Sequence, residues 1–248
     1  MQLLETQILY LGLIMTNLST IFTPALWLQD AGFGAYIVGN QVRDLLLGTE
    51  SDRNDVDIAT SALPQEVVSV LRRNNIIPSI VDEKFGTVAF IYEGKHYEVT
   101  TFRQDIYHGD FSVIKRYPDE IKFVKLVAQD AERRDFTINA IYYNPKTKRY
   151  LDYLGGQKDL KSKTLRAIGD PEIRFQEDPI RILRAIRMHH ALGFKYETKT
   201  AKQIEQLAGA VKKVSPGVVK KELQKLQQLP QYPAMREELK SLGLIQVV

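Results

Sequence analysis

No cysteine occurs among the 248 residues, which excludes disulfides, thiolate-bound zinc and a cysteine nucleophile together. Any metal must then be held by oxygen ligands or by the four histidines. Long apolar runs are also missing. The opening from Met1 to Ile14 is partly apolar, but it contains Glu5 and Gln7, has no basic region in front of it and is too short to span a bilayer. No signal peptide and no membrane partner are expected, and the cysteine-free composition fits a cytoplasmic setting. Met15 begins a second, more polar start, so residues 1–14 read either as an upstream extension or as extra helix. There is no internal repeat, no low-complexity tract and no G-x-x-x-x-G-K-[ST] string, so P-loop use of ATP has no support.

What is present is an ordinary globular composition, 44% hydrophobic and 26% charged, sufficient for one large or two modest domains. The formal net charge is +4 and the isoelectric point about 9.0, a balance that favours polyanionic partners without naming one. Lysine and arginine gather at 133–134, 146–149, 158–166, 181–187 and 212–225. Solvated helix faces account for such clusters equally well.

The most informative local pattern is Asn54-Asp55-Val56-Asp57-Ile58. On a strand, Asp55 and Asp57 project to one side while Val56 and Ile58 turn to the core. Parallel carboxylates at that spacing repel unless a divalent cation lies between them, and hard oxygen ligands suit Mg²⁺. A D-x-D alone also fits a solvated loop. Its neighbours favour chemistry: Ala35-Tyr36-Ile37-Val38 reads as a strand, Gly39-Asn40 as a turn and Gln41 to Leu47 as a helix. Strand, turn and helix put backbone N–H groups and a helix N-terminus where a triphosphate can lie.

Short β-branched or aromatic runs at 35–38, 55–59, 87–92, 96–102 and 139–143 alternate with helical patterns at 41–47 and 64–73. They predict an α+β unit with a mixed sheet. From Phe175 onward strand signals cease, and amphipathic helices are expected near 178–192, 199–209, 215–227 and 231–242. The pair Gly155-Gly156 reads as a turn or hinge, and the boundary is placed near residue 153. The stretch 104–130, dotted with Tyr107, His108, Phe111 and Tyr117, is too irregular to assign.

Seven strings in five segments, YIVGNQVRDLLLG with NDVDIATSALP, FGTVAF with YEVTTFR, RRDFTINAIYY, LDYLGGQKDL and EDPIRILRAIR, resemble, in order and spacing, the class II tRNA nucleotidyltransferases. These are the CCA-adding enzymes, with their sister poly(A) polymerases, in the polymerase-β-like nucleotidyltransferase superfamily. The resemblance spans about residues 30 to 245. It implies an N-terminal helical segment (1–33), a catalytic head (34–153) and an all-helical neck (154–248) that recognises the nucleobase. It also implies template-independent addition of CTP and ATP to a tRNA 3′ end with Mg²⁺.

On that resemblance Asp55 and Asp57 hold the metal ions, and Glu98 is a third carboxylate; the alternative for Glu98 is a cross-strand pair with an arginine such as Arg103. Gly39, Asn40 and Arg43 take the triphosphate. Relatives have Gly-Gly or Gly-Ser at this turn, and Asn40 is expected to serve as an N-cap there. The polar loop 49–53 looks slightly long. Arg134 and Asp135 are implied in nucleotide and ribose recognition, against a plain ion pair between Arg133 and Asp135. Asp178 and Arg181 are implied to read the base edge, and Arg184 and Arg187 continue their i, i+3 series as one ridge on a helix face. Glu177 is expected to orient or cap. A helix laced by ion pairs is the alternative. No histidine is assigned a metal role, and the pair His189-His190 is expected to pack against the neck.

Relatives confined to CC addition lack part of a flexible loop within 104–130, and the long segment kept here favours complete CCA addition. The same family also holds poly(A), CC-adding and A-adding enzymes, and a non-catalytic RNA-binding paralogue is the reading from another class. Relatives continue into body and tail domains where this chain stops. A shorter grip on tRNA implies weaker, salt-sensitive binding and a role for a homo-oligomer or a separate partner.

Overall fold

A computed structural model of the chain describes residues 20–49, 54–108 and 117–244. The readings made for residues 1–14, for most of the polar loop 49–53 and for 109–116 lie outside the described residues. Helix α1 (20–30) buries Ala25 and Leu28 and sets Trp27 edge-on to Tyr92, ring centroids 5.0 Å apart. Gln29 ties its end to the sheet, donating to the Ala35 carbonyl at 2.6 Å and to Asn144 at 3.1 Å.

Strand β1 (Ala35–Val38) leads into α2 (Asn40–Leu47), β2 (Asp55–Thr60) and α3 (Pro64–Arg73). Pro64 suits the first turn of α3 because it has no N–H to leave orphaned, and Glu66 reaches back to accept from Leu63 N at 2.7 Å. Strands β3 (Ile80–Asp82), β4 (Thr87–Tyr92) and β5 (Lys95–Thr101) follow. Next come the short pair β6 (Arg103–Ile106) and β7 (Glu120–Phe123), helix α4 (Val127–Glu132) and a 3₁₀ turn at Thr137–Asn139. Strands β8 (Ile141–Asn144) and β9 (Arg149–Asp152) complete the series. Seven strands form one sheet in the order β3-β4-β5-β2-β1-β8-β9. β2 and β5 run parallel, whereas β1 meets β2 and β8 antiparallel and β4 meets β3 and β5 antiparallel. The sheet is mixed, as the alternating pattern predicts.

The later elements are α5 (Gly156–Lys161), β10 (Thr164–Leu165), α6 (Pro171–Glu177), α7 (Ile180–Leu192), β11 (Lys195–Tyr196), α8 (Thr198–Leu207), a 3₁₀ segment at Ala208–Lys213, α9 (Pro216–Gln227) and α10 (Tyr232–Ser241). Helices dominate here. The parallel pair β10–β11, two residues a side, is too short for any periodic signal in the sequence.

Contacts divide the described residues into two compact units. One comprises those up to Arg103 with Phe123–Gln129 and Tyr142–Leu151. The other comprises Gln104–Lys122, Asp130–Ile141 and everything from Asp152 onward. A boundary near residue 153 assigns 104–122 and 130–141 to the head. Long-range hydrogen bonds group 130–141 instead with the helical unit: Thr137 N donates to Arg166 O at 3.1 Å, Ile168 N to Asp135 O at 3.1 Å, and the Thr137 hydroxyl to Asp159 at 2.7 Å. Partners 22 to 33 residues apart leave no trace in local periodicity.

The Gly-Gly pair sits at the start of α5, within the helical unit. Gly155 adopts a left-handed φ of +76° ahead of α5, and a Cβ on Gly156 would fall 2.2 Å from the Thr137 carbonyl oxygen and 2.8 Å from Ile141 Cγ1. Backbone rests on backbone there. Gly156→Ala is therefore expected to cost about 3 kcal/mol, since one wall is backbone and the other the buried, β-branched Ile141 side chain. The thermal midpoint should fall by roughly 6–12 °C. Gly155→Ala, with open space around the added carbon, should cost only about 1 kcal/mol from its left-handed backbone. Parallel thermal melts check the ranking.

Candidate active site

In the sheet unit, antiparallel register sets Val38 opposite Asp57, and parallel register sets Asp57 beside Glu98. Val56 and Ile58 on β2 and Tyr97 and Val99 on β5 are buried, whereas Asp55 and Glu98 are exposed and Asp57 half-buried. Residues in register share a face. Three carboxylates thus stand on one face of two adjoining strands. Glu98 makes no ion pair among the described residues, and Arg103, its alternative partner, donates to the Phe85 carbonyl and lies over that ring, 5.6 Å from the centroid. Such an all-oxygen, all-anionic donor set fits a hard divalent cation.

Gly39 closes this face. Its backbone sits at φ +78°, ψ −138°, and a Cβ there would lie 2.9 Å from Asp57 Oδ2. The positive φ favours glycine, and an added carbon would press on the Asp57 carboxylate. Gly39 is itself the N-cap of α2, so the expectation that Asn40 caps is corrected: Asn40 is the first helical residue. Its Oδ1 accepts from Arg43 Nη1 at 2.8 Å, while Arg43 Nε and Nη2 donate to Asp44 Oδ1 at 2.8 and 2.6 Å. Arg43 is only 2% exposed. In this structure its fork meets Asn40 and Asp44. The adjacent Asp44 holds the buried guanidinium at short range.

The helical unit carries the arginine-rich cluster. Fully buried Asp130 accepts from Arg133 Nε at 2.7 Å and from Arg134 Nη2 at 3.0 Å. Arg133 therefore pairs with Asp130, not with Asp135. Asp135 Oδ1 accepts from Phe136 N at 2.8 Å, and its Oδ2 lies 2.5 Å from Arg184 Nη2. Asp178 stands outside α7, in extended conformation at the end of α6, and accepts from Ile180 N at 3.2 Å. The expected four-residue ridge is thus three arginines, and they diverge. Arg181 meets Glu177 at 3.1 Å and the Arg174 carbonyl at 2.9 Å, Arg184 meets Asp135, and Arg187 meets Glu222 at 2.7 Å. Steps of three residues rotate by about 60° around a helix of 3.6 per turn, which separates their tips.

Glu177 accepts from Arg181 Nη1. It also holds Arg174, whose Nη2 donates to the carbonyls of Arg133 and Arg134 at 2.6 and 3.1 Å. Arg174, Asp130 and Tyr107 escaped the sequence reading. The spacings Asp130–Arg133–Arg134 and Arg174–Glu177–Arg181 are i, i+3 or i, i+4 pairs and were available as signals. Tyr107 had none. Burial pushes its hydroxyl up to about 12, with Arg181 and Arg174 opposing and Asp105 and Glu177 assisting.

Burial alone would raise Asp135, but Arg184, the Phe136 N–H, Arg181 and Asn139 outweigh it and hold the carboxyl below 3.8. The unfolded state therefore binds more protons in the acid range, and stability rises with pH there. The contribution is complete above the unfolded value and is lost as pH falls through the lower folded one. Asp135→Asn should be less stable than the parent at neutral pH, with the gap narrowing below 3.8. Urea unfolding across that range is the check.

A mixed sheet with paired carboxylates beside a glycine turn, joined in sequence to a helical unit, is the fold of a nucleotidyltransferase head and its helical continuation. Residues 35–166 match the family described as the poly A polymerase head domain. The chain is 42% identical over 199 residues to a CCA-adding enzyme of Lactobacillus helveticus, covering 80% of this chain and 47% of that protein. It resembles the crystal structure of the Bacillus stearothermophilus CCA-adding enzyme in complex with CTP, with a TM-score of 0.78 and 34% identity over 91% of this chain and 52% of that one. A tRNA nucleotidyltransferase complexed with a primer tRNA and an incoming ATP analog gives a TM-score of 0.72 and 29% identity, over 90% and 61% of the two chains. The chain therefore belongs to the poly A polymerase head-domain family, in the class II branch of the CCA-adding enzymes. It spans about half the length of the curated relatives it matches. Among the described residues no helix is long and apolar enough to cross a membrane.

Proposed function

We propose that this chain carries the catalytic head and the base-reading neck of a template-independent CTP/ATP:tRNA nucleotidyltransferase that adds CCA to tRNA 3′ ends in the cytoplasm. The observation that carries the reading is Asp57, set in register beside Glu98 and against the backbone of Gly39. Divalent metal belongs to the chemistry of this family, and Mg²⁺ is the ion proposed. Asp55 and Asp57 would hold it, with Glu98 adding negative charge on the same face. When bound, the metal supplies charge neutralisation at the phosphates and acidifies the attacking 3′-hydroxyl.

The backbone N–H groups of the Gly39–Asn40 turn and the N-terminus of α2 receive the triphosphate, braced by Arg43. In the helical unit, the Asp178 carboxylate accepts from the exocyclic amine of C or A, and Arg181 donates to a ring acceptor. Neither U nor G offers that pairing so well. Glu177 fixes the Arg181 guanidinium, and the Asp135–Arg184 pair fixes the segment that also bears Arg134, proposed to contact the nucleotide with Arg187. A second reading within the family, a poly(A) polymerase or a CC- or A-adding enzyme, is favoured by the family description itself. Incubating tRNA that lacks its CCA end with CTP, ATP or both separates them by product length. Three added residues with the mixture and two with CTP alone support CCA addition. A long ladder with ATP alone supports the second reading, and RNA binding without any addition would overturn both.

A further inference from the structure

Apart from the Arg181 cluster, the helical unit brings together two histidines and a glutamate. His189 and His190 lie in the last turn of α7 and Glu238 on α10, and one ligand atom from each lies within 4.8 Å of the others. The hydrogen bonding around them is directional. His189 Nδ1 faces the Phe194 carbonyl oxygen, which can only accept, so the ring proton sits on Nδ1 and Nε2 carries the lone pair. That carbonyl is fixed by left-handed Gly193 at φ +65° and by Phe194 N, which returns to His189 O at 3.1 Å. His190 Nε2 lies 2.6 Å from Glu238 Oε2. The Tyr196 hydroxyl donates to Glu238 Oε1 at 2.9 Å, and its ring stacks on His189 at 4.4 Å.

An imidazole whose second nitrogen donates to a backbone carbonyl, and a carboxylate whose second oxygen accepts a hydrogen bond, are the outer supports of metal ligands. The His190 and Glu238 side chains are 17% and 21% exposed, sheltered yet reachable by an ion. We propose that His189, His190 and Glu238 form a binding site for a divalent transition metal of the zinc class, through His189 Nε2, His190 Nε2 and Glu238 Oε2. When the ion enters, the proton between His190 and Glu238 is released to solvent and His190 binds through Nε2 as the neutral ring protonated on Nδ1. Two imidazoles and a carboxylate suit Zn²⁺, whereas Mg²⁺ prefers all-oxygen surroundings. The site is thus chemically distinct from the Asp55–Asp57 face. Its occupancy ties α10 to the end of α7.

The test is Zn²⁺ titration of the 248-residue chain against a chromophoric chelator, with millimolar Mg²⁺ present, in an Asp55→Asn/Asp57→Asn background that removes the other candidate ligands. One equivalent of Zn²⁺ should remain. His190→Ala and Glu238→Gln should each weaken it at least tenfold, and Tyr196→Phe, which touches no ion, by about tenfold. Co²⁺ added to the unaltered chain should give the intense visible bands of a four-coordinate site, a readout that needs no variant to fold. No retained equivalent, unchanged affinity in His190→Ala, equal competition by Mg²⁺ or only the faint bands of six-coordinate Co²⁺ would each overturn the proposal.

Discussion

Asp57→Ala should abolish nucleotide addition, lowering the single-turnover rate by about a thousandfold or more, as expected when several kcal/mol of charge stabilisation is withdrawn. Asp57 lies in register with Glu98 and two residues from Asp55, so its loss leaves the remaining carboxylates without their central member. Its side chain is half-buried, so truncation opens no core cavity. Affinity for tRNA should stay within about twofold, because carboxylates add nothing to phosphate attraction. Retained addition within tenfold of the parent would remove the two-carboxylate reading. Gly39→Ala should approach the same defect for a different reason, by driving a methyl group into the Asp57 carboxylate.

The second large effect is expected at Arg181. This guanidinium is 7% exposed and is held by Glu177 and by the Arg174 carbonyl. Arg181→Ala should therefore cost about 2–3 kcal/mol of stability, less than a fully orphaned buried partner would, since Glu177 keeps Arg174. It should also erase the preference for C and A over U and G, worth about 1–3 kcal/mol or roughly 5- to 150-fold. Asp178→Ala separates the two consequences. Its carboxylate accepts from Ile180 N at 3.2 Å among its contacts and is half-buried, so the fold should lose less than in Arg181→Ala while base choice relaxes. Competition between CTP and UTP, read beside urea unfolding of both variants, decides. Intact selectivity in Asp178→Ala would remove the base-reading assignment.

Much of this was written in local patterns. Alternation around Val56 and Ile58 placed β2, Pro64 placed the start of α3, and apolar periodicity placed α7 to within a few residues. The carboxylate face was legible because a period of two is strict, and β2 and β5 then needed only one register to align Asp57 with Glu98. What stayed hidden depends on partners distant in sequence. The bonds from Thr137 to Arg166 and Asp159 pull 130–141 into the helical unit. The i, i+3 series from Asp178 suggested a ridge, but Pro179 begins a new helix and leaves Asp178 behind it. No spacing signalled that Arg43 is buried against Asp44. Glu238 lies 48 residues from His190, and no spacing rule joins them.

Paired carboxylates that bind divalent ions with a nucleotide present are the central feature, and equilibrium binding of Mn²⁺, which shares the oxygen preference of Mg²⁺, tests them without reliance on tRNA. With CTP present, the parent chain is expected to bind Mn²⁺ at least tenfold more tightly than the Asp55→Asn/Asp57→Asn variant. Equal Mn²⁺ affinity in the two proteins, with CTP still bound by both, would contradict it.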